Sequence, residues 1–285
     1  MVGKYIARGD ALFPTKLLSE KIKPQVKELW FRGVLEQDWF TKTVAIVGSR
    51  RMSRYGKQVL AEIVPRFVAA GYTTISGFMY GIDTEVYRLT IENGGKTVAV
   101  LGYGIERDDI EVNSKSLFLS EYPGETGARV WTFPQRNRIV VGLSDMVVVV
   151  EAGLKSGSLN SASWARRQGK PVFAVPGSIF SSTSEGSNIL ISEGKATSLT
   201  LARLYQALGK DEQLISSEKV RNNQHNLVLS IDESTLVTLL KLDGPLSVNE
   251  LARKAGKPVG EVAASLTSLL IRGQVKEERG VWSPR

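Results

Sequence analysis

Six short runs of apolar, mostly β-branched residues recur along the first two thirds of this chain, and each ends in a turn of small residues. They comprise residues 44–47, 73–75, 98–101, 118–119, 146–150 and 172–175. Strands of a parallel sheet have this continuous apolar character because helices cover both faces of the sheet, whereas a half-exposed strand alternates apolar and polar residues. The runs therefore predict a buried parallel sheet.

Helical periodicity fills the gaps between these runs. Apolar residues at 59, 60, 63, 64, 67 and 68 share one helical face, and residues 81–93, 133–143 and 158–168 are further predicted helices. Pro65 lies within the first helix, where we expect a kink or a helix boundary. Strands alternating with helices predict a doubly wound, Rossmann-like α/β domain with a mostly parallel sheet, whose ligands bind at the carboxyl ends of the strands.

The C-terminal part of the chain has a separate pattern. Ser247 and Glu250 have the spacing of a capping box at a helix start, and Gly273 ends a later helical pattern. Apolar residues at 275, 281 and 282 predict a short hairpin. Three helices followed by a hairpin predict a small winged-helix-like domain.

The chain is therefore expected to divide into four segments. They are an N-terminal lead-in packed on the core (residues 1–42), a Rossmann-like ligand-binding domain (43–208), a polar linker (209–230) and the winged-helix-like domain (231–285).

Composition excludes several classes of site. The 285 residues contain no Cys and one His, His225, which lies in the polar linker. Disulfides, thiolate nucleophiles and cysteine-ligated metals are excluded, and we expect neither a metal nor a cofactor. No apolar run reaches the roughly 18–20 residues that span a bilayer, and the N-terminus lacks the apolar segment of a signal peptide, so we expect a cytoplasmic protein without membrane contact.

The formal net charge of +8 is unevenly placed. The 8 basic and 7 acidic residues from Asp232 to the C-terminus leave 29 basic and 22 acidic residues in the first 231. A basic excess favours a polyanionic partner, and its position predicts that this partner binds the large domain.

The turns that follow the strands carry groups suited to a phosphate-bearing ligand. Candidate binding residues are Gly48, Ser49 and Arg50 after the first strand, Ser76 and Gly77 after the second, Lys155, Ser156, Gly157 and Ser158 at a predicted helix start, and Asn188 in a loop expected over residues 176–188. Backbone N–H groups at such helix starts favour anions. The alternative for the glycines is a tight turn without a ligand. The chain has neither the dinucleotide fingerprint nor a P-loop, which disfavours nicotinamide cofactors and nucleoside triphosphates.

Residues 133–138, with the sequence Phe-Pro-Gln-Arg-Asn-Arg, are the segment that most strongly indicates a nucleic-acid ligand. Phe133 could stack on an unpaired base, while Arg136, Asn137 and Arg138 could bind phosphate. Arg136 and Arg138 lie about 200° apart on a helix, so we expect only one of them to face a shared ligand. The alternative is that these arginines form ion pairs with Glu121, Asp145 or Glu151.

The order and spacing of these motifs resemble the DNA-processing protein A (DprA/Smf) family. The resemblance covers roughly residues 10–200 and the winged-helix-like tail. It rests on Gly-Ser-Arg at 48–50, Ser-Gly and Gly-Ile-Asp within 76–83, Val-Leu-Gly-Tyr-Gly at 100–104, Ser-Glu-Tyr-Pro at 120–123, residues 133–138, Val-Glu-Ala at 150–152, Ser-Gly-Ser at 156–158 and Val-Pro-Gly at 175–177.

The resemblance implies a non-catalytic protein that binds and protects single-stranded DNA, usually as a homodimer. It also implies that the protein promotes loading of RecA recombinase in natural transformation or recombination. At matching positions, Arg50 follows the first strand, Phe133 can stack on a base, and Lys155 with residues 156–158 faces phosphate.

Two other classes of function remain as alternatives. A nucleotide-processing enzyme of the phosphoribohydrolase type would need a catalytic Glu in the loop at 155–162, which has no acidic residue. A winged-helix transcription factor would need basic side chains on its recognition helix, but residues 259–271 contain none. We therefore expect the C-terminal domain to mediate protein contacts or to modulate the core domain.

Overall fold

The computed structural model describes residues 3–107, 111–209, 231–278 and 280–284. The chain forms two compact units, Met1–Lys210 and Asp211–Arg285. Most of the predicted linker, including His225, lies outside the described residues.

The first unit contains a nine-stranded sheet with helices on both faces. Its strands are β1 (Lys4–Ala7), β2 (Glu28–Gly33), β3 (Thr43–Val47), β4 (Thr73–Ser76), β5 (Thr97–Leu101), β6 (Ser116–Ser120), β7 (Met146–Val149), β8 (Val172–Ala174) and β9 (Thr197–Ser198). Its α-helices are α1 (Arg54–Ala69), α2 (Ile82–Glu92), α3 (Thr132–Leu143), α4 (Gly157–Gln168), α5 (Glu185–Ser192) and α6 (Leu201–Ala207).

The strand order is β1-β2-β6-β5-β4-β3-β7-β8-β9, and the seven strands from β6 to β9 are parallel. All six predicted strands are present. The chain leaves β3 for β4, β5 and β6 on one side and returns to β7 and β8 on the other. The carboxyl ends of β3 and β7 therefore flank the topological switch point, where ligands of open α/β sheets bind.

Alternate residues of the strands enter two separate cores. Ala45 and Val47 of β3 face the core on the side of α3 and α4. Val44 and Ile46 face the core that includes Leu60 and Phe67 of α1 and Val86 of α2. Both faces are buried, which is why the strands are continuously apolar.

Helix α1 runs unbroken from Arg54 to Ala69 with Pro65 inside it. The boundary expected at Pro65 is therefore wrong. Val64 and Phe67, which flank the proline, are fully buried against the sheet. Packing of this apolar face offsets the hydrogen bond that Pro65 cannot donate.

The first 42 residues extend the sheet beyond the strands predicted from the sequence. Strand β2 pairs antiparallel with both β1 and β6. Leu17, Ile22 and Val26 between or beside these strands are fully buried in the core on the side of α3. Gly142 of α3 lies so close to this segment that a Cβ there would be 2.7 Å from Ile22 Cδ1.

The second unit has the three helices and hairpin expected from its pattern. Its elements are α7 (Ile231–Asp243), β10 (Leu246–Ser247), α8 (Val248–Ala255), α9 (Val259–Ile271), β11 (Val275–Glu278) and β12 (Val281–Pro284). Ser247 and Glu250 form the predicted capping box at the start of α8. Leu236, Leu251 and Leu266 pack together in its core.

Among the described residues, no helix has both the length and the apolar content needed to cross a bilayer.

The core beneath α1 provides a test of the fold. Phe67 is fully buried and makes an edge-to-face contact with Tyr72 at 5.3 Å between ring centroids. We expect Phe67→Ala to lower the free energy of unfolding by about 3–5 kcal/mol because it leaves a cavity in a packed core. Leu12→Ala, at a side chain that is half exposed, should change it by less than about 0.5 kcal/mol. Urea denaturation of both variants checks this, and equal effects would contradict the assignment of the core.

Candidate nucleic-acid interface

The candidate site lies along the carboxyl edge of the parallel strands, where six loops meet. In sheet order these loops follow β6, β5, β4, β3, β7 and β8. Neighbouring strands are about 4.8 Å apart, so the edge from β6 to β8 extends for about 24 Å. Part of the set of residues predicted from the sequence to bind a ligand lies on this edge, and the rest lie beneath it or shape its loops.

Arg50 and Phe133 meet in the middle of this edge. Arg50 follows β3, is exposed, and places its guanidinium carbon 5.4 Å from the centroid of the Phe133 ring. Phe133 lies in the first turn of α3 and is half-buried. A guanidinium beside an aromatic face is a cation–π contact. The pair presents a positive charge and a partly exposed ring to the same surface.

Two glycines allow these groups to approach each other. Gly102, directly after β5, lies under the Phe133 ring, and a Cβ there would be 2.8 Å from Phe133 Cδ1. Gly81 has φ +86°, and a Cβ there would be 2.5 Å from the carbonyl oxygen of Ser49. A side chain at Gly102 would displace the Phe133 ring, and one at Gly81 would displace the loop after β3 that carries Arg50.

The start of α4 forms the next part of the edge. Ser156 caps the helix, accepting a hydrogen bond from the Ser158 N–H at 3.3 Å, and its hydroxyl lies 2.6 Å from that of Ser158. Gly157 is exposed, with open space where a side chain would be, and Lys155 before it is also exposed. An N-terminal turn with an adjacent lysine can hold an anion. Ser158, in contrast, is buried and does not belong to this surface.

Asn137 joins the two parts of the site. Its Nδ2 donates to the carbonyl oxygen of Gly157 at 3.3 Å and to Asn160 Oδ1 at 3.2 Å. Asn137 is one helical turn after Phe133, so this contact ties the aromatic residue to the loop that carries Lys155. The structure thus places Arg50, Phe133, Asn137, Lys155 and residues 156–157 along one edge.

Arg136 does not reach that edge, contrary to the sequence-based expectation that one of the two arginines faces a ligand. Its side chain is buried and donates to the carbonyl oxygens of Gly77 and Val100 at the ends of β4 and β5. Ser76 and Gly77 are buried as well, and a Cβ at Gly77 would collide with this guanidinium. These three residues therefore form the floor of the site rather than its surface.

A buried carboxyl group accompanies Arg136. Asp83 in the first turn of α2 accepts hydrogen bonds from the N–H groups of Gly77 at 3.0 Å and Met79 at 3.4 Å. Burial raises the pKa of Asp83 to about 6, although the charge of Arg136 and these hydrogen bonds lower it. Burial likewise lowers the pKa of Arg136 to about 10. Burial outweighs the attraction between the two charges for both groups.

Arg138 forms an internal ion pair with Glu121. It is 1% exposed, and its two terminal nitrogens donate to the carboxylate of Glu121 at 2.7 and 2.6 Å. Its Nε donates to the carbonyl oxygen of Pro24 at 2.8 Å. The pairing with Glu121, one of the alternatives open from the sequence, is confirmed. Its guanidinium is therefore engaged inside the protein and does not lie on the surface of the site.

Three more predicted residues shape loops. Ser49 Oγ bonds both the N–H and the carbonyl oxygen of Arg51 at 3.0 Å, and Gly48 packs against Ile82. Asn188 exchanges two hydrogen bonds of 3.1 Å with the backbone of Gly177. The loop expected over 176–188 ends earlier because α5 begins at Glu185, so Asn188 lies within the helix.

The sequence analysis missed one group of residues at this edge. Large apolar side chains are exposed on the loops that surround the site, namely Tyr80 (80%), Val130 (90%), Trp131 (51%), Leu154 (57%), Ile179 (81%) and Phe180 (91%). The available signal was their position within polar turns such as Gly177-Ser178-Ile179-Phe180-Ser181, where large apolar residues are uncommon. Within the described part of the chain, no cluster of carboxylate or imidazole groups could hold a metal ion.

Comparisons with known proteins identify relatives of this chain. Residues 4–208 match the family model for DNA recombination-mediator protein A, and residues 224–280 match the DprA winged helix domain. DNA processing protein DprA of Streptococcus pneumoniae is 39% identical over 58% of this chain and 61% of its own length. The Bacillus subtilis protein of the same name is 38% identical over 54% of each chain. This chain thus spans little more than half the length of these relatives.

Two solved structures share the fold. The X-ray structure of DprA from S. pneumoniae has a TM-score of 0.63 and 32% identity, covering 72% of this chain and 74% of that one. DNA processing protein A from Helicobacter pylori has a TM-score of 0.62 and 25% identity, covering 75% and 97%. The latter was described for its single-stranded DNA binding mode.

The buried carboxyl group of Asp83 makes stability depend on pH. Its raised pKa means that the folded protein still holds the proton when the unfolded chain has lost it, so the folded state becomes less favoured as pH rises from about 4 to 6. We expect the free energy of unfolding of the unsubstituted protein, relative to Asp83→Asn, to fall by up to about 3 kcal/mol across this range and to level off above pH 7. Urea titrations at successive pH values check this. A difference that stays constant with pH would contradict it.

Substitutions of the buried Arg138 and the exposed Arg50 should differ in their effect on stability. Arg138→Met should lower the free energy of unfolding by about 3–5 kcal/mol because it leaves the partly buried Glu121 carboxylate without its partner. Arg50→Met, at an exposed side chain, should change stability by less than about 0.5 kcal/mol. Thermal and urea unfolding measure both, and a stable Arg138→Met variant would show that the pair is dispensable.

Proposed function

Because this chain belongs to the DNA recombination-mediator protein A family, we propose that it binds single-stranded DNA along the carboxyl edge of its sheet and acts in recombination. The observation that carries the proposal is the contact between Arg50 and the half-buried Phe133 ring. The exposed Lys155 and the open start of α4 lie on the same edge of the sheet. An aromatic face and a line of cations are the two features that bind an unpaired strand.

Each part of the site has a chemical role in this proposal. Phe133 stacks on one base, and Arg50 beside it balances the charge of the adjacent phosphate. Lys155 and the N–H of the exposed Gly157 hold a neighbouring phosphate, helped by the dipole of α4. The buried Arg136 and Asp83 keep the floor of the site in place and make no contact with DNA.

The role of such binding is to keep a single strand accessible. We propose that the protein protects single-stranded DNA and promotes its loading with RecA in recombination or natural transformation, that it works in the cytoplasm and that it does so as a homodimer. These finer points rest on family membership alone. The winged-helix unit supports a role in protein contacts, because α9 contains no basic residue between Val259 and Ile271.

We propose further that the protein is not an enzyme. The loop at residues 155–162 has no acidic residue where a phosphoribohydrolase would need one. Glu151, the carboxylate nearest to this loop along the chain, is buried and accepts hydrogen bonds from the N–H and hydroxyl of Ser53. Release of a free base from a nucleoside monophosphate over many turnovers would contradict this part of the proposal.

Binding to labelled single-stranded and duplex oligonucleotides over a salt series tests the function. We expect single-stranded DNA to bind more tightly than duplex, with a log–log slope of affinity against salt of about −2 to −4 for three to six phosphate contacts. Phe133→Ala should weaken binding by about 1–3 kcal/mol through loss of stacking, and Lys155→Ala should weaken it equally for all sequences.

Lys42→Ala is the matched control for Lys155→Ala. Lys42 is also exposed, but it precedes β3 and so lies at the opposite end of the strands. It should leave affinity within about twofold. Equal losses from both lysine variants, or an affinity that is independent of salt, would contradict a site at the carboxyl edge.

A further inference from the structure

A cavity that the proposed function does not use lies on the same edge, at the ends of β3, β7 and β8. Its volume is about 330 Å³, within the range of small-molecule sites. The lining comes from the start of α1 (Ser53 and Tyr55), from Glu151 after β7 and from the loop after β8 (Pro176, Gly177 and serines 178, 181 and 184). Ser53 is only three residues beyond Arg50, so this cavity and the Arg50–Phe133 pair are parts of one continuous surface.

A turn with an unusual tip forms the rim of the cavity. The N–H of Ser181 donates to the carbonyl oxygen of Ser178 at 3.1 Å, and the N–H of Phe180 donates to Ser178 Oγ at 3.2 Å. These bonds close a turn whose two central residues, Ile179 and Phe180, are 81% and 91% exposed. Polar or small residues normally occupy such positions. Two large apolar side chains held in water by a fixed turn point to a partner that covers them.

The wall of the cavity excludes phosphate as its occupant. The Glu151 carboxylate is 1% exposed and already occupies the N-terminus of α1, where it accepts hydrogen bonds from Ser53 and, at 3.3 Å, from the Thr183 hydroxyl. A second anion beside it would be repelled. The hydroxyl groups of the lining serines instead suit a neutral group with N–H donors at its edge.

The geometry points to a second nucleobase subsite, in which one base of the bound single strand stacks on Phe180 and turns its polar edge into the cavity behind the Ser178–Ser181 turn. This inference rests on the proposed binding of single-stranded DNA. A base offers the flat face that an exposed aromatic ring binds and N–H groups that can donate to the hydroxyl oxygens of the lining serines. The exposed cations Arg54 at the start of α1 and Lys155 on the loop after β7 match the phosphates that would lie outside the cavity.

Single-stranded oligonucleotides in which one abasic residue is moved along the strand test the subsite. For the unsubstituted protein, the abasic scan should show two sensitive positions, each weakening binding about fivefold or more. In Phe180→Ala, an abasic residue at one of these positions should weaken binding by less than twofold. In Phe133→Ala, the same should hold at the other position. Phe180 is almost fully exposed, so its removal should leave the thermal unfolding midpoint unchanged.

One further variant tests the contribution of the cavity itself, and another serves as a control. Ser181→Leu keeps Phe180 but fills the cavity, and it should produce the same loss of sensitivity as Phe180→Ala. Val34→Ala removes an exposed apolar side chain that follows β2 at the opposite end of the strands, and it should change neither affinity nor the abasic profile.

The results distinguish this inference from the function on which it rests. The inference is overturned if Phe180→Ala retains the full abasic profile, or if it changes the sedimentation coefficient instead of DNA affinity, which would assign the turn to contacts between copies of the chain. In both cases the Phe133 and Lys155 variants would still weaken binding. If the unsubstituted protein binds no single-stranded DNA, the proposed function fails as well.

Discussion

The buried guanidinium of Arg136 fixes the position of helix α3 over the ends of β4 and β5, and the arrangement of the site depends on it. Its side chain donates hydrogen bonds to the carbonyl oxygens of Gly77 and Val100 at the carboxyl ends of these two strands. Phe133 precedes it by one helical turn, so this anchor sets where the ring lies above Gly102. A charge in this position carries a cost of burial, which appears in the displaced pKa values of both Arg136 and Asp83.

The basic residues of the region divide into internal and external groups with different physical roles. Arg138 is neutralised by Glu121, and Lys170 donates to three carbonyl oxygens at the end of α3, where burial lowers its pKa to about 8. Arg50 and Lys155 remain exposed. The internal group holds helices at fixed positions, and the external group supplies the charge that an anionic strand encounters. Net charge alone therefore overstates the cations available to a ligand.

The loops at the carboxyl edge combine this charge with an unusual amount of exposed apolar surface. Tyr80, Trp131 and Phe180 come from loops after three different strands and are all exposed. Apolar side chains grouped at one edge mark an interaction site more often than scattered ones do. Cations provide affinity that depends on salt, whereas aromatic faces provide contacts that depend on unpaired bases. An edge with both properties suits a single strand better than a duplex, whose bases are already stacked.

The sequence by itself determined the six parallel strands, the helices between them and the winged-helix unit, because continuous apolar runs, helical periodicity and a capping box are local patterns. It also indicated Arg50, Phe133 and Lys155, which follow strands whose carboxyl ends must meet. It could not place β1 and β2, whose antiparallel pairing depends on β6 far along the chain. Only the tertiary structure decided that Arg136 and Arg138 are internal and that Ile179 and Phe180 are exposed, because burial depends on which distant carbonyl and carboxylate groups come within reach of a side chain.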